Sequence, residues 1–221
     1  MNTLQILQDA GALPTEDSRR KTRSIIQRAA EDHTKKITPY GPVVRLVDAP
    51  HGKWELCEPR AYMRYLSTLH EAYGNTMKAC TSEHRLTIVL YLDELIPGNP
   101  FRPDKARKLV GFYWACLEWY PWLLSRSAMW PCLGVLASKQ LDRIPGGISQ
   151  FYAFLLEHIF SRGSFDVQIV VGKERLRLCV VYGGLMADEK ALKEVHDYKG
   201  ASGLKACMDC ANMIKGRLEH K

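Results

Sequence analysis

The chain has 221 residues and a formal net charge of +7, with 46% hydrophobic and 25% charged residues. These fractions exclude a wholly disordered, collagen-like or coiled-coil chain. The longest apolar runs, residues 86–92 and 167–171, have the length of strands and fall far short of the ~20 residues that span a bilayer. We therefore expect no membrane partner. The polar, partly acidic N-terminus also argues against a secretory signal.

The excess of basic residues leans mildly towards nucleic acid or another polyanion as the partner, with a basic protein that binds neither as an equal alternative. Seven cysteines, an odd number in a chain without a signal peptide, are typical of reduced thiols. We therefore expect an intracellular protein, located in the nucleus if the organism is a eukaryote.

The N-terminal residues 1–40 are polar and are predicted to form a flexible arm. Residues 18–30 contain five basic side chains and no acid. They could contact a phosphate backbone or act as a nuclear localisation signal, or they could form only a solvated helix face or tail. Residues 41–84 are predicted as a lead-in of strands and a helix, and residues 85–198 as the core domain. Residues 199–221 form a Gly- and Lys-rich tail.

The lead-in and the first core strand have clear patterns. Residues 41–57 alternate apolar and polar side chains between Gly and Pro, which predicts extended segments or a hairpin. Residues 58–73 have helical spacing, and Gly74-Asn75 is predicted to end that helix. Residues 85–93 are apolar on both faces, as in a central strand.

The rest of the core predicts strands and helices in alternation. Residues 109–119 could form a strand or a helix, because periodicity does not separate the two. Gly183-Gly184 is predicted to open a loop. The other predictions are a strand at 129–137, a helix at Gly147–Phe160, a hairpin of 167–171 with 175–182, and a helix at 187–196. This order predicts an α/β domain with a mixed sheet flanked by helices.

Two aspartates follow predicted strands in the same way. Asp93 ends one strand, and Asp188 follows another after a short Gly-rich segment. If these strands are neighbours, both carboxylates lie at one edge of the sheet and could hold Mg²⁺ or Mn²⁺, which prefer oxygen ligands. Such ions support two-metal phosphoryl transfer. The alternatives are that Asp188 caps a helix and that Asp93 is a polar strand end.

A C-x-x-C pair, Cys207 and Cys210, lies close to the C-terminal residue of the sequence. Two thiolates at this spacing make half of a tetrahedral zinc site, which His196 or His220 could complete. Two ordinary free thiols are an equal alternative. A thioredoxin-like role is disfavoured, because the pair does not lie near the front of a βαβ unit.

Two further groups could contact nucleic acid. A basic segment after the Asp93 loop would suit a phosphodiester substrate, with a solvated loop as the alternative; its cationic residues are Arg102, Lys105, Arg107 and Lys108. Five aromatic residues could stack on bases, although their apolar neighbours favour the core; they are Trp114, Trp119, Tyr120, Trp122 and Trp130.

The block VVYGGLMADEKALKEVHDYKGASGLKACMDC resembles the second catalytic-aspartate region of DDE/D transposases of the CACTA type. In that family a strand ends in an Asp, and a short helix, a Gly-rich stretch and a C-x-x-C pair follow. The block RLTIVLYLDELIPGNPF resembles the first-aspartate region, with Asp93 and Asn99-Pro100-Phe101 in the family's order. Trp130-Pro131 and the predicted helix Gly147–Phe160 lie between them as expected. The resemblance covers roughly residues 85–212.

The resemblance implies an RNase H-like fold and DNA as the partner. It implies that Asp93 and Asp188 are Mg²⁺ or Mn²⁺ ligands. A complete family member would use them for two-metal DNA cleavage and strand transfer. The resemblance also implies that Cys207 and Cys210 belong to a zinc-binding insertion.

Three features depart from the family pattern. The family's third acid lies downstream of an insertion that this sequence does not reach, and Glu219 does not match its position. Ser202 stands where the family usually has a His, and Glu94 stands where Gly is common. We therefore expect a fragment, a gene relic or a domesticated domain of a transposable element, with little or no transposition activity.

Two other functions fit the sequence. The basic charge and the incomplete acid set suit a non-catalytic DNA- or protein-binding module that reuses the fold. An unrelated metal-dependent α/β nuclease would need a third acidic or basic group near the same edge. The candidates for that group are Asp48, Glu55 and Glu94.

Overall fold

The computed structural model describes residues 35–81, 83–96, 108–161 and 163–196. These residues form a mixed α/β domain around a five-stranded sheet. The basic segment 18–30, the Asn99-Pro100-Phe101 motif and the tail at 199–221 lie outside the described residues. No helix in the described ranges has the length and apolarity needed to cross a bilayer.

Two small antiparallel pairs open the described chain. The first joins β1 (Ile37–Thr38) to β2 (Gly41–Pro42), so the end of the predicted arm contains a short strand. The second joins β3 (Val44–Ala49) to β4 (Gly52–Cys57), and it confirms the predicted hairpin. Helices α1 (Pro59–Leu69) and α2 (Glu71–Cys80) follow.

The main sheet has the strand order β7-β6-β5-β9-β8. The strands are β5 (Arg85–Leu95), β6 (Leu109–Cys116), β7 (Cys132–Ala137), β8 (Ser164–Val171) and β9 (Glu174–Met186). Strand β5 is central as predicted, antiparallel to β6 and parallel to β9. The β6–β7 and β8–β9 pairs are antiparallel. The sheet is therefore mixed, as the sequence predicts, and the helical alternative for residues 109–119 is wrong.

Two predicted chain breaks are wrong. Gly74 lies inside α2, where a Cβ would stand 2.1 Å from the Val170 carbonyl oxygen; glycine lets the helix approach β8 closely. Gly183-Gly184 continues β9 instead of opening a loop. Gly183 is the extra residue of a bulge, since Ile88 pairs with Tyr182 and Val89 with Gly184.

The remaining helices are α3 (Pro121–Leu124), α4 (Ser138–Leu141), α5 (Gly147–Phe160) and α6 (Glu189–His196). Helix α5 has the bounds that its periodicity predicts. Its Phe151 ring lies 5.0 Å from the rings of both Trp54 and Phe112, centroid to centroid. These contacts join α5 and the β3–β4 hairpin to one face of the sheet.

The aromatic residues divide between the core and the surface. Trp114 and Trp119 are buried, as expected for core residues. Tyr120 and Trp122 are 45% and 58% exposed and stack on each other, so the core interpretation is wrong for this pair. Trp130 is partly buried and packs edge-on against Tyr91.

Candidate functional site

The two aspartates lie near the same end of two adjacent parallel strands. Asp93 is inside β5, which continues two residues beyond the predicted end, to Leu95, and Asp188 follows the end of β9. Tyr91 of β5 pairs with Met186 of β9, and the aspartates come two residues later on each chain segment. The adjacency that the shared-edge hypothesis requires is therefore present. Both Asp93 and Asp188 are exposed to solvent.

A cleft of about 670 Å³ contains both aspartates. Among the described residues, more acidic than basic side chains line this cleft, although the protein as a whole is basic. The acidic residues are Asp93, Glu94, Asp142, Asp188 and Glu194; the basic ones are Lys108, Lys139 and Lys190. The excess of carboxylates favours a bound cation over a bare anion.

Asp188 has a structural role in addition to its place in the cleft. Its Oδ1 accepts a hydrogen bond of 2.7 Å from the backbone N–H of Ala191, in the first turn of α6. The helix-cap interpretation is thus correct. A carboxylate has several acceptor positions on two oxygens, so this cap is compatible with cation binding.

Tyr91 lies beside Asp93. The two residues have the same parity on β5, so their side chains share one face of the strand. Burial raises the pKa of Tyr91, and the charge of Asp93, hydrogen bonding to the Asp93 side chain and the charge of Asp188 raise it further. Both aspartates therefore act electrostatically on one phenol. Hydrogen bonds of this kind commonly orient metal-binding carboxylates.

Glu94 is ion-paired with two lysines in the cleft. It forms a close salt bridge with Lys108 and a second, at 3.5 Å, with Lys190 of α6. The hydrogen bond from Lys108 is the main cause of the lowered pKa of Glu94. Lys108, predicted as a nucleic-acid contact, thus lines the cleft with a carboxylate partner.

Sequence reasoning missed Lys190, although its place two residues after Asp188 could have indicated it. Its ammonium also lies 3.8 Å from Glu194, one helical turn further along α6. Arg102, Lys105 and Arg107, the other predicted nucleic-acid contacts, lie outside the described residues.

The structure does not test the predicted zinc site. Cys207, Cys210 and His220 are outside the described residues, and His196 is exposed in the last turn of α6. Within the described ranges, no three His, Cys, Asp or Glu side chains are grouped to hold a metal ion. Of the candidates for a third group, Glu94 lines the cleft. Asp48 and Glu55 are instead on the β3–β4 hairpin.

An aromatic pocket of about 400 Å³ adjoins Asp93. We use this name for the cavity lined by Tyr91, Asp93, Tyr113, Ser127, Trp130 and Met186. Sequence reasoning missed it because its residues come from four separate segments. The alternation of strand residues could have placed Tyr91 beside Asp93, but not Tyr113 or Trp130 beside them.

Neither a comparison with protein-family models nor one with curated proteins finds a match for the chain. The resemblance to CACTA-type transposases stays a prediction that rests on the sequence motifs.

Proposed function

We propose that this chain is a transposase-derived domain that binds DNA through a divalent cation held by Asp93 and Asp188. The observation that carries the proposal is the position of both aspartates, near the same end of adjacent parallel strands and in one cleft. The finer assignment, an RNase H-like fold of the CACTA transposase type, is supported by the motif order around these two residues.

Two exposed carboxylates of the cleft, Asp93 and Asp188, have the ligand chemistry that a hard cation prefers. Carboxylate oxygens are the ligands that Mg²⁺ and Mn²⁺ prefer, and Asp93 and Asp188 would supply them. Bound there, the cation would polarise a phosphate oxygen and neutralise developing charge. Tyr91 would keep the Asp93 carboxylate oriented, and the capping bond to Ala191 would do the same for Asp188.

Direct titration with Mn²⁺ tests the metal part of the proposal, with free Mn²⁺ followed by electron paramagnetic resonance. We expect Asp93→Asn and Asp188→Asn each to weaken Mn²⁺ binding by at least about tenfold, since each removes one anionic ligand. Asparagine also caps helices well, so Asp188→Asn removes the charge and keeps α6 intact. Asp48→Asn, an exposed acid on β3, is the matched control and should bind Mn²⁺ as wild type does.

DNA binding measured with Mn²⁺ or with EDTA tests the second part. The proposal predicts tighter binding with Mn²⁺ and loss of that gain in both cleft variants. If DNA binding is sensitive to salt, equally tight with Mn²⁺ and with EDTA, and unaffected by either substitution, the chain is instead a non-catalytic module that binds DNA through its basic surface. DNA cleavage or strand joining with Mn²⁺, abolished by Asp93→Ala, would overturn the expectation of little or no activity, which rests on the missing third acid.

A further inference from the structure

We propose that the aromatic pocket binds one nucleobase of the DNA strand whose phosphate lies at Asp93 and Asp188. This inference rests on the proposed function and extends it from the phosphate to the base. Asp93 lines both the cleft and the aromatic pocket, so a nucleotide bound at the aspartates has its base next to the aromatic rings.

The pocket has the size and the walls that a planar base requires. Its volume of about 400 Å³ is within the range of ~300–1,000 Å³ for small-molecule sites. The Tyr91 ring centroid lies 5.7 Å from that of Trp130 at 65°, and 6.1 Å from that of Tyr113 at 37°. All three rings line the cavity, and every base offers a face for stacking on an aromatic side chain.

The rings are held before any ligand arrives. The Trp130 indole N–H donates to the Leu124 carbonyl oxygen at 2.8 Å, which satisfies its polar atom and fixes the ring. Tyr113 lies over Gly111, the residue opposite Asp93 on β6. A Cβ at Gly111 would stand 2.6 Å from the Tyr113 ring, so glycine makes room for this ring position. Rings placed in advance lose little entropy on binding.

Polar groups at the edge of the pocket match the edge of a base. The Asp93 carboxylate can accept from an exocyclic amino group, as carboxylates do with cytosine, and the Ser127 hydroxyl can donate or accept. The cation at the aspartates would offset the negative charge that otherwise repels DNA. Without that cation, three aromatic rings and a carboxylate would suit an alkylammonium group instead.

A single-stranded oligonucleotide with 2-aminopurine at successive positions tests the inference in the full chain with Mn²⁺. We expect fluorescence quenching at one position. Tyr113→Leu and Trp130→Leu should remove it and weaken binding by about 5- to 100-fold, the equivalent of one lost stacking contact. Mn²⁺ affinity should not change. Leu46→Ala shortens an exposed apolar side chain on β3, away from the pocket, and should behave as wild type.

An abasic site at the quenched position separates lost stacking from misfolding. Wild type and both pocket variants should bind abasic DNA equally, and circular dichroism checks that each variant is folded. Quenching retained in both variants overturns the base site but leaves the metal proposal standing. Absence of Mn²⁺-dependent DNA binding overturns both. Tetramethylammonium binding without Mn²⁺, lost in the same variants and with no base quenching, overturns the base site in favour of a cation cage.

Discussion

The two faces of the central strands have different roles. Leu90, Leu92 and Phe112 are at most 3% exposed and lie on the face that packs against α5. Tyr91 and Tyr113, their neighbours along the chain, are only partly buried and point to the other face. The difference shows that the two-residue period of a strand separates core packing from candidate binding chemistry within one segment.

The charged groups show the same contrast between covered and open parts of the molecule. On the covered side, Glu58 is buried and accepts from Arg45, whose Nη2 also lies 2.7 Å from Nε2 of His158. In the open cleft, Glu94 contacts Lys108 and Lys190 with substantial solvent exposure. Burial should therefore make the first cluster sensitive to pH, while salt should screen the second.

The largest expected effect compares neighbouring residues of β6. Phe112→Ala should lower the free energy of unfolding by about 3–5 kcal/mol, because it opens a cavity in the core. Tyr113→Ala should cost about 1 kcal/mol, a typical value for a point substitution. Urea denaturation followed by circular dichroism measures both, and Phe112→Leu offers a milder variant if the alanine protein does not fold. Equal losses for Phe112→Ala and Tyr113→Ala would contradict the contrast between the faces.

The second prediction concerns pH and the covered charge cluster. Burial lowers the pKa of His158, and the charge of Arg45 lowers it further, against a smaller opposite effect of Glu58. An unfolded histidine titrates near pH 6.5, so below that pH the unfolded state takes up the proton more readily than the folded state. Stability should therefore fall between about pH 7 and pH 5.

A matched pair of variants checks the source of that pH dependence. His158→Gln keeps an acceptor for Arg45 and does not titrate, so it should flatten the dependence of the melting temperature on pH. His196→Gln replaces an exposed histidine of α6 and should leave the dependence as in wild type. Parallel pH profiles for wild type and His158→Gln would rule out His158 as the titrating group.

The parts of the fold that follow from local patterns could be predicted. Helix α5 matches its apolar period over fourteen residues, and β5 is central because it is apolar on both faces. Gly74 and Gly183 misled the prediction for one physical reason. Glycine ends helices and opens loops, but it also allows close backbone approach and bulges, and tertiary packing decides which applies.

The candidate site could be predicted only on the assumption that the two strands before Asp93 and Asp188 are neighbours. Sequence placed Asp93 and Asp188 after strands, but the parallel pairing of β5 with β9 joins segments about ninety residues apart, which no local pattern reveals. The aromatic pocket depends on Trp130, which reaches Tyr91 from beyond another strand. The RNase H-like assignment stays a prediction from the motifs.

The smallest expected effect lies in the open cleft. The side chain of Glu94 is 41% exposed, and its pKa is lowered chiefly by the hydrogen bond from Lys108. A carboxylate with a lowered pKa contributes stability above its unfolded pKa, near 4.3, and loses that contribution as the pH falls through its folded value. Glu94→Gln should therefore cost about 0.2–1 kcal/mol at pH 7 and low salt, and close to nothing at pH 3.

Urea titrations at both pH values, repeated in 0.5 M salt, measure this difference, with Glu55→Gln on the exposed hairpin as the control. Because mobile ions reach an exposed pair, the stability loss of Glu94→Gln at pH 7 should shrink in high salt. The flatter pH dependence of the melting temperature in His158→Gln should persist there, because that cluster is more buried. A loss that remains at pH 3 would mean that Glu94 stabilises the fold by packing. The cleft would then resemble the covered side of the sheet, and its lysines would be structural partners rather than candidates for phosphate binding.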